Sequence, residues 1–239
     1  MNETINELIS KNIEPNCFYV VGTPIGNMGD ITLRALATLS QVDTIVAEDN
    51  RTSGILLSRF GIKKPMITFH AKSTKNDIEK IITKLEKGES LAYISDAGTP
   101  SISDPGNLIV QIIKDRLPEI KISPIPGASA LTSALSVSGI SGNKFFFAGF
   151  PPQKKGRNKF FEEISSLEET IVLYESPHRI EKTLSEIKNT FGENTVVTVG
   201  REITKQFEQF IQGEVSVVLE HEKIKNPKGE YVVMIWGKK

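Results

Sequence analysis

Two apolar segments of the sequence each run directly into a turn that is rich in glycine and proline. Phe18–Val21 is followed by Gly-Thr-Pro-Ile-Gly-Asn at 22–27, and Leu91–Ile94 is followed by Ser-Asp-Ala-Gly-Thr-Pro at 95–100. Glycine lets a backbone approach a ligand closely, and ligands of open α/β sheets bind beyond the carboxyl ends of the strands. The two turns together predict a small-molecule pocket. Each turn alone is also typical of an ordinary connection between a strand and a helix.

Alternating apolar and amphipathic segments predict the elements that position these turns. Strands are predicted at 17–22, 42–47, 65–69, 90–95, 120–124, 145–149, 170–175, 195–200, 206–213 and 230–236. Helices are predicted, among others, at 32–39, 75–87, 105–116, 128–138, 157–166 and 178–190. This alternation predicts the α/β class, with helices packed on mainly parallel sheets and some antiparallel pairing near the C-terminus.

A stiff turn, Pro-Ile-Pro-Gly at 124–127, predicts a boundary between two domains, because neither a helix nor a central strand tolerates it. We therefore expect an N-terminal tail at 1–15, an N-terminal α/β domain at 16–124 and a C-terminal α/β domain at 125–239. The tail carries no long apolar run and is not typical of a signal peptide.

The composition excludes several classes of function. The 29 Lys and Arg residues equal the 29 Asp and Glu residues, and this balance argues against a protein that coats nucleic acid without specificity. Cys17 is the only cysteine, which suits a reducing cytoplasm and a place in the core. No stretch is long enough to predict a membrane span. The sequence also lacks a dinucleotide fingerprint, a phosphate-binding P-loop, a zinc-ligand spacing and a nucleophile elbow.

Seven groups of motifs occur in one order along the chain. They are the turn at 22–27 with Asp-Ile-Thr at 30–32, Ala-Glu-Asp-Asn-Arg at 47–51, the turn at 95–100 with Asp-Pro-Gly at 104–106, Pro-Gly-Ala-Ser-Ala at 126–130, Tyr-Glu-Ser-Pro-His-Arg at 174–179, Arg-Glu-Ile-Thr-Lys at 201–205 and Lys-Gly-Glu at 228–230. In this order the chain resembles the ribosomal RNA small-subunit methyltransferase I family of the tetrapyrrole methylase-like superfamily. The resemblance runs from about Phe18 to Trp236.

The resemblance implies two α/β domains with a tetrapyrrole methylase-like fold and the methyl donor, S-adenosylmethionine, in the cleft between them. It implies transfer of the methyl group to the ribose 2′-hydroxyl of a cytidine in the decoding region of 16S ribosomal RNA. The implied partners are the 30S subunit or its precursor and a second copy of the chain. No metal and no membrane are implied.

The resemblance also implies roles for particular residues. The donor site is expected to involve Pro24, Gly26, Asp96, Ala97, Gly98, Thr99, Ser129, Ala130 and Tyr174. A carboxylate such as Asp96 suits the ammonium or the ribose hydroxyls of the donor. A general base would help a ribose hydroxyl to attack, and the candidates are Glu48, Asp49 and Glu175. The candidates for contacts with RNA are Arg51, Lys155, Arg157, Arg179, Arg201 and Lys205, since arginine binds phosphate in a fork.

Structural interpretations stand beside these functional ones. Glu48 and Asp49 could cap the next helix, and the segment 174–179 could be a rigid turn with a helix start. The basic run at 154–159 could be a solvated loop, and Arg201 with Glu202 could form an internal salt bridge.

The chain departs from the usual family pattern at two places. Asn50 stands where the family commonly has threonine, and Ala-Lys-Ser-Thr at 71–74 replaces a segment with a second histidine and an asparagine. Two other functions compete with RNA methylation: a methyltransferase of the same fold acting on a tetrapyrrole or a protein side chain, and a non-catalytic ribosome-binding factor.

Overall fold

The computed structural model describes residues 13–140 and 143–237 of the chain. These residues separate into two compact units, with the division between Ser129 and Ala130. Each unit is built around one five-stranded sheet. The domain boundary that the sequence places between 124 and 125 stays a prediction, and Ile125 is the last residue of a strand in the first sheet.

The N-terminal unit holds a fully parallel sheet. Its strands are β1 (Cys17–Val21), β2 (Thr44–Ala47), β3 (Met66–Thr68), β4 (Leu91–Ile94) and β5 (Lys121–Ile125). Their order across the sheet is β3-β2-β4-β1-β5. The carboxyl ends of β2, β4, β1 and β5 are therefore neighbours at one edge, which is the edge that binds ligands in open α/β sheets.

Four α-helices cover the two faces of this sheet. They are α1 (Leu33–Gln41), α2 (Asn50–Arg59), α3 (Lys75–Glu86) and α4 (Gly106–Arg116), and a short 3₁₀ helix spans Met28–Asp30. Because strand side chains alternate between faces, Cys17 and Tyr19 of β1 join the core beneath α1 and α2, whereas Phe18 joins the core beneath α3 and α4.

Side-chain caps begin three of these helices. Thr32 accepts a hydrogen bond from the Ala35 N–H ahead of α1, and Thr74 forms a capping box with Asp77 ahead of α3. Asp49 accepts the Arg51 N–H at 2.7 Å ahead of α2. The suggestion that Glu48 and Asp49 cap the next helix is therefore confirmed for Asp49.

The C-terminal unit has a mixed sheet. Its elements are α5 (Ala130–Val137), β6 (Phe145–Gly149), α6 (Arg157–Ser165), β7 (Thr170–Glu175), α7 (Ile180–Phe191), β8 (Val196–Arg201), β9 (Gln209–Glu214), α8 (Val215–Leu219), α9 (Glu222–Lys225) and β10 (Tyr231–Ile235). The strand order is β6-β7-β10-β8-β9, with β6 and β7 parallel and the other neighbours antiparallel.

The α/β class and the antiparallel pairing near the C-terminus are confirmed. All ten predicted strands form, and the largest shift is in β9, which begins at Gln209 rather than at 206. Cys17 is buried, as predicted. The predicted helix ranges omitted α2 and the two short helices α8 and α9. In the described part of the chain, no helix has the length and apolar character needed to cross a membrane.

Candidate functional site

The turns that follow β1, β4 and β5 are hydrogen-bonded to one another. The Thr23 N–H donates to the Gly98 carbonyl at 2.9 Å, and the Gly98 N–H donates back to the Thr23 carbonyl at 3.1 Å. The Thr99 hydroxyl donates to the Ala128 carbonyl at 3.1 Å. The three turns, which the sequence places far apart, thus form one rigid backbone surface at the carboxyl edge of the sheet.

Gly22 and Gly127 let two of these turns touch backbone to backbone. A Cβ atom added to Gly22 would lie 2.8 Å from the Gly127 Cα atom, and one added to Gly127 would lie 2.7 Å from the Gly22 carbonyl carbon. No side chain fits in either place, so both glycines are required by close approach. Sequence reasoning noticed both glycines but gave neither a role.

Gly98 is required for a different reason. Its φ of +81° lies in the left-handed region that favours glycine, and an added Cβ would meet the Ile25 Cγ2 atom at 3.1 Å. The predicted donor-site residues Pro24, Ala97 and Thr99 lie beside it in the joined turns. Pro24 is buried, whereas Gly26, Asp96 and Ala97 are exposed to solvent.

Three carboxylates lie at this edge, where β2 and β4 end side by side. The Asp96 N–H donates to Glu48 Oε2 at 3.4 Å, and the Glu48 N–H donates to the Ile94 carbonyl at 3.2 Å. Asp49 follows Glu48 directly. The parallel pairing of β2 with β4 therefore brings together Glu48, Asp49 and Asp96, which the sequence separates by nearly fifty positions.

The three carboxyl groups have different proton affinities. Burial, helped by the carboxylates of Asp96 and Asp104, raises the pKa of Glu48. Burial and the neighbouring Asp49 raise the pKa of Asp96. Hydrogen bonds from the Arg51 side chain and backbone lower the pKa of Asp49 to about 2. Environments that push pKa values apart separate acid, base and purely electrostatic roles, and here they set Glu48 and Asp96 apart from Asp49.

The raised pKa of Glu48 has a measurable effect on stability. A carboxyl group whose pKa is higher in the folded chain destabilises the fold once it ionises. We expect Glu48→Gln to raise the melting temperature at pH 7 by about 1 °C. The gain should vanish below the ordinary pKa of glutamate, about 4.3, where residue 48 is uncharged in both states.

Thermal unfolding across pH 3.5–8 checks this expectation. Glu79 is the matched control, because the Arg116 side chain lowers the pKa of Glu79 and Glu79→Gln should therefore give no gain at pH 7. At each pH the compared quantity is the melting temperature of Glu48→Gln minus that of the unchanged protein. A smaller difference at pH 7 than at pH 4 would contradict the raised pKa of Glu48.

Tyr93 and Asp104 are polar groups near this edge to which the sequence analysis gave no role. The Tyr93 hydroxyl is fully buried and has no hydrogen-bond partner among the described residues. Asp104 Oδ1 accepts the N–H groups of Ser101 and Gly106 at 2.9 and 2.8 Å and so shapes the loop ahead of α4. Burial and then the Asp104 carboxylate raise the pKa of Tyr93. A tyrosine within an otherwise apolar strand was the available signal.

In the C-terminal unit, Tyr174 supports the start of α5. Its hydroxyl oxygen accepts the Leu131 N–H at 3.1 Å, next to the predicted donor residue Ala130. The ring packs edge-to-face against Phe147 and Phe150, with centroids 4.9 and 5.6 Å away. Tyr174 and Ala130 are thus close together within this unit. Ser129 is the last residue of the N-terminal unit and directly follows Ala128, whose carbonyl accepts the Thr99 hydroxyl.

Glu175 and Arg157 lie inside the C-terminal unit and not at its surface. The Glu175 carboxylate accepts the Thr183 hydroxyl at 2.6 Å and the Ser176 N–H at 2.7 Å, and it pairs with Arg179 at 2.8 Å. Arg157 is 3% exposed. Its guanidinium donates to the Pro152 carbonyl at 2.9 Å and pairs with Glu186 at 2.6 Å.

These contacts give two of the predicted site residues a structural role. A general base must reach a substrate proton, and every contact of the Glu175 carboxylate is with the chain itself, so the structure assigns Glu175 to the core. The guanidinium of Arg157 is engaged by Glu186, Thr183 and the Pro152 carbonyl, so Arg157 has a structural role, and its contact with RNA stays a prediction. Arg179 has a 20% exposed side chain and also donates to the Pro151 carbonyl at 3.1 Å. Its contact with RNA stays a prediction.

Arg201 is also structural. It is 8% exposed, and it donates to the carbonyls of Lys228 and Phe207 at 2.8 and 3.1 Å. The suggested salt bridge to Glu202 does not form, because both partners of Arg201 are carbonyl groups. The contact of Arg201 with RNA stays a prediction. Arg201 joins the loop after β8 to the loop before β10.

Lys205 lies on the same pair of loops, with its ammonium 2.8 Å from both Glu202 and Glu230. Burial lowers the pKa of Lys205, but hydrogen bonds to these two carboxylates outweigh it and raise the value. Lys205 therefore carries a charge that is already compensated. Lys155 is exposed at the tip of the loop before α6. For both lysines, contact with RNA stays a prediction.

Metal binding finds no support in the parts of the chain that the structure describes. Within 13–140 and 143–237, no group of three or more His, Cys, Asp or Glu side chains is arranged to hold a metal ion.

Comparison with known proteins places this chain in a family. The family model of the tetrapyrrole (corrin/porphyrin) methylases matches residues 17–218. The Ribosomal RNA small subunit methyltransferase I of Thermotoga maritima is 43% identical over 92% of this chain and 97% of its own length. The protein of the same name from Pasteurella multocida is 45% identical over 92% of this chain and 79% of its own.

Solved structures show the same fold at much lower identity. Diphthine synthase gives a TM-score of 0.69 at 13% identity, covering 93% of this chain and 90% of its own. Uroporphyrin-III-C-methyltransferase from Thermus thermophilus gives 0.62 at 17% identity, covering 92% and 94%. At such identities the likeness shows the fold alone. The high identity to the curated relatives over nearly the whole chain shows more, and the chain belongs to the ribosomal RNA small subunit methyltransferase I family within the tetrapyrrole methylases.

Proposed function

We propose that the chain is an S-adenosylmethionine-dependent methyltransferase that methylates small-subunit ribosomal RNA at the ribose 2′-hydroxyl of a cytidine in the decoding region. The observation that carries the proposal is the joined backbone surface of the turns after β1, β4 and β5, with the Asp96 carboxylate exposed upon it. Membership of the family supplies the class of reaction and of substrate.

The joined turns suit a ligand that carries both an ammonium and hydroxyl groups. Asp96 is exposed at the carboxyl edge, and the pKa of its carboxyl is raised when no cation is near. An ammonium or a pair of ribose hydroxyls placed there would favour the charged form of Asp96. Ala97 is exposed beside Asp96 and carries no bulky side chain, so a ligand can lie directly against its backbone.

Glu48 is the proposed general base. When bound, S-adenosylmethionine supplies an electrophilic methyl group on a cationic sulfur. Glu48 is half-buried and its pKa is raised, so its carboxylate is a better proton acceptor than an ordinary glutamate. Asp49 is unsuited, because its pKa of about 2 and its role as the cap of α2 make it a weak base.

Positioning accounts for the rest of the proposed rate enhancement. The ribose hydroxyl must be held in line with the methyl group and the sulfur, and such orientation contributes a large part of catalysis in displacement reactions. The hydrogen bond between the Asp96 N–H and Glu48 ties the proposed base to the proposed donor loop. Each therefore fixes the place of the other.

Three further expectations belong to this proposal. The physiological partner is the 30S subunit or its precursor, the active form is a homodimer, and the protein acts in the cytoplasm. The family resemblance supports each of them.

Incubation with methyl-labelled S-adenosylmethionine and 30S subunits that lack ribose methylation in the decoding region tests the proposal. After digestion of the RNA, mass spectrometry should find the label in 2′-O-methylcytidine. Label in another nucleoside or in a ribosomal protein would overturn the cytidine assignment. Absence of any transfer, together with absence of donor binding in calorimetry, would favour a non-catalytic ribosome-binding factor.

Methylation of a corrinoid or porphyrinoid precursor is the remaining alternative. The same assay with such a precursor in place of the subunits distinguishes it. We expect no transfer there, because the carboxyl edge carries Glu48, Asp49 and Arg51, whereas a large macrocycle would favour an apolar lining.

A further inference from the structure

The positive charge of the N-terminal unit is concentrated in one stretch of sequence. Residues 50–76 contain six cationic side chains and no Asp or Glu, although the whole chain has 29 basic and 29 acidic residues. The six are Arg51, Arg59, Lys63, Lys64, Lys72 and Lys75. The chain therefore contains a basic segment although its net charge is zero. A local basic patch is the electrostatic signature of a surface that binds nucleic acid.

The structure leaves most of this charge uncompensated and open to solvent. Within 13–140 and 143–237, Arg51 is the one member of the six that pairs with a carboxylate, its own neighbour Asp49. That pair is exposed, with the Arg51 side chain 92% accessible, and exposed pairs of this kind are weak. Arg59, Lys63, Lys72 and Lys75 are exposed as well.

Helix α2 carries part of this charge along one face. Arg51, Ile55 and Arg59 are spaced by four residues each, so they lie above one another on the helix surface. The rise of 1.5 Å per residue separates Arg51 from Arg59 by about 12 Å along the axis. Two cations at this separation can contact two phosphates of one extended strand of nucleic acid.

Apolar side chains lie between the two arginines. An open groove of about 780 Å³ runs along α2, and its lining includes Met28, Ile55 and both arginines. Ile55 is 68% exposed, which makes it one of the most exposed large apolar side chains among the described residues. Gly54 also lines the groove, and nothing lies within 4 Å of where its Cβ would be. An apolar strip between two cations is complementary to a nucleobase that lies between two phosphates.

We propose that the α2 face, defined as Met28, Arg51, Ile55, Arg59 and Lys63, is the surface over which the ribosomal RNA strand enters the site. The proposal rests on the proposed function and adds the place where the RNA binds. Phosphates contact Arg51 and Arg59, one base packs on Ile55 and Met28, and Lys63 extends the path beyond the end of α2.

The position of α2 connects this face to the proposed chemistry. The helix begins at Asn50, immediately after Glu48 and Asp49 at the carboxyl edge of the sheet. A strand held along α2 therefore reaches the carboxyl edge at its Arg51 end, where the proposed base lies. Charge favours RNA over a second copy of this chain, since every nucleotide of an RNA strand carries a phosphate, whereas the six excess acidic residues of the chain outside 50–76 are distributed over 212 residues.

Charge reversal at the far end of the α2 face tests the proposal without touching the proposed base. Arg59→Glu combined with Lys63→Glu removes two cations that have no carboxylate partner within the described residues. The probe is the unmethylated 30S subunit, and binding is measured between 50 and 200 mM salt. We expect the affinity at 50 mM salt to fall at least tenfold and the slope of log affinity against log salt to become shallower by about 1 to 2.

Lys114→Glu is the matched control. Lys114 is exposed in the last turn of α4, just as Arg59 is in the last turn of α2, so both reversals meet the same helix dipole. Helix α4 covers the opposite face of the sheet. Lys114→Glu should therefore leave affinity for the subunit and the salt slope within twofold of the unchanged protein. Ile55→Ser tests the apolar contact and should weaken binding severalfold with the salt slope unchanged.

Donor binding and oligomeric state separate the possible outcomes. Unchanged calorimetric binding of S-adenosylmethionine together with weaker binding of the subunit supports the proposal. Unchanged subunit affinity and salt slope in the double variant would overturn it, even with full methylation of 30S subunits by the unchanged protein. A change of oligomeric state in light scattering with subunit affinity intact would also overturn it and would assign the α2 face to contact between copies of the chain. Failure of the unchanged protein to methylate RNA would instead reject the proposed function.

Discussion

Replacement of Gly127 by alanine is expected to destabilise the N-terminal unit by about 2–3 kcal/mol and to abolish tight binding of S-adenosylmethionine. The added Cβ would lie 2.7 Å from both the carbonyl carbon and the oxygen of Gly22. Both neighbours are backbone atoms that directly follow β1, where the Gly22 N–H donates to the Ile125 carbonyl at 2.9 Å. The clash can be relieved only by moving the turns after β1 and β5 apart.

The loss of donor binding follows from the connections between the turns. Thr23 is bonded to Gly98, and Thr99 is bonded to the Ala128 carbonyl next to Gly127. A shift of Gly127 therefore moves the loop that carries Asp96. Sites that must hold a ligand within a fraction of an ångström lose affinity when their supporting backbone moves.

Gly54→Ala is the matched control for this experiment. The chemical change is the same, yet nothing lies within 4 Å of the added Cβ, and Gly54 lies inside α2. Alanine in a helix is favoured over glycine by about 0.5–1 kcal/mol, so this variant should be slightly more stable. Denaturant unfolding gives the stability and calorimetry the donor affinity. A Gly127→Ala protein with unchanged donor affinity would show that the joined turns are not the donor site.

Much of the fold could be predicted because its signals are local. Short segments rich in apolar residues and separated by turn residues predict strands, and all ten formed. Helix α2 was expected only as the helix that Glu48 and Asp49 could cap, and it received no residue range. Its own composition is a weak signal, since it holds Gly54 and several Ser and Thr residues that favour helices weakly. It forms because Asp49 caps its start and because Leu56 and Leu57 are buried against the sheet.

The site was predicted less evenly, because burial decides what a charged residue does. Asp96 lies in the turn at 95–100, and Arg157 follows the loop at 151–156. The sequence around each residue does not reveal whether its side chain faces solvent. The structure leaves Asp96 exposed at the carboxyl edge and encloses Arg157 between α6, α7 and the loop at 151–156. Contacts between elements distant in sequence made this distinction. The excess of basic residues at 50–76, in contrast, is visible in the sequence itself, although the basic run at 154–159 is denser.

Replacement of Arg157 by methionine is expected to destabilise the C-terminal unit by about 3–5 kcal/mol. Arg157 pairs with Glu186 at 2.6 Å, donates to the Thr183 hydroxyl at 2.7 Å and lies 5.2 Å from the centre of the Phe161 ring. Methionine fills a similar volume but removes the cation that pairs with Glu186, whose side chain is 19% exposed, and that lies 3.9 Å from the buried Glu175 carboxylate. Removal of one partner of a buried ion pair is costly because the other charge stays enclosed.

The surface residue Lys159 provides the comparison within the same helix. Its side chain is 78% exposed and lies 3.4 Å from Glu163, so Lys159→Met should change the stability by less than about 0.5 kcal/mol. Arg157→Lys should fall between the two, since lysine keeps the charge but cannot reproduce the planar fork that reaches Glu186, Thr183 and the Pro152 carbonyl together.

RNA binding then separates a buried role from a phosphate contact. The comparison is made at a temperature where Arg157→Met remains folded. Its affinity for 30S subunits and the salt dependence of that affinity should equal those of the unchanged protein. A buried guanidinium does not contact phosphate and therefore releases no counterions from the RNA. A stable Arg157→Met protein with a shallower salt slope would restore Arg157 to the RNA interface and would require the 151–157 loop to open on binding. The expected result confines the RNA contacts of this loop to its exposed lysines, with Arg157 beneath them as the anchor that holds the loop in place.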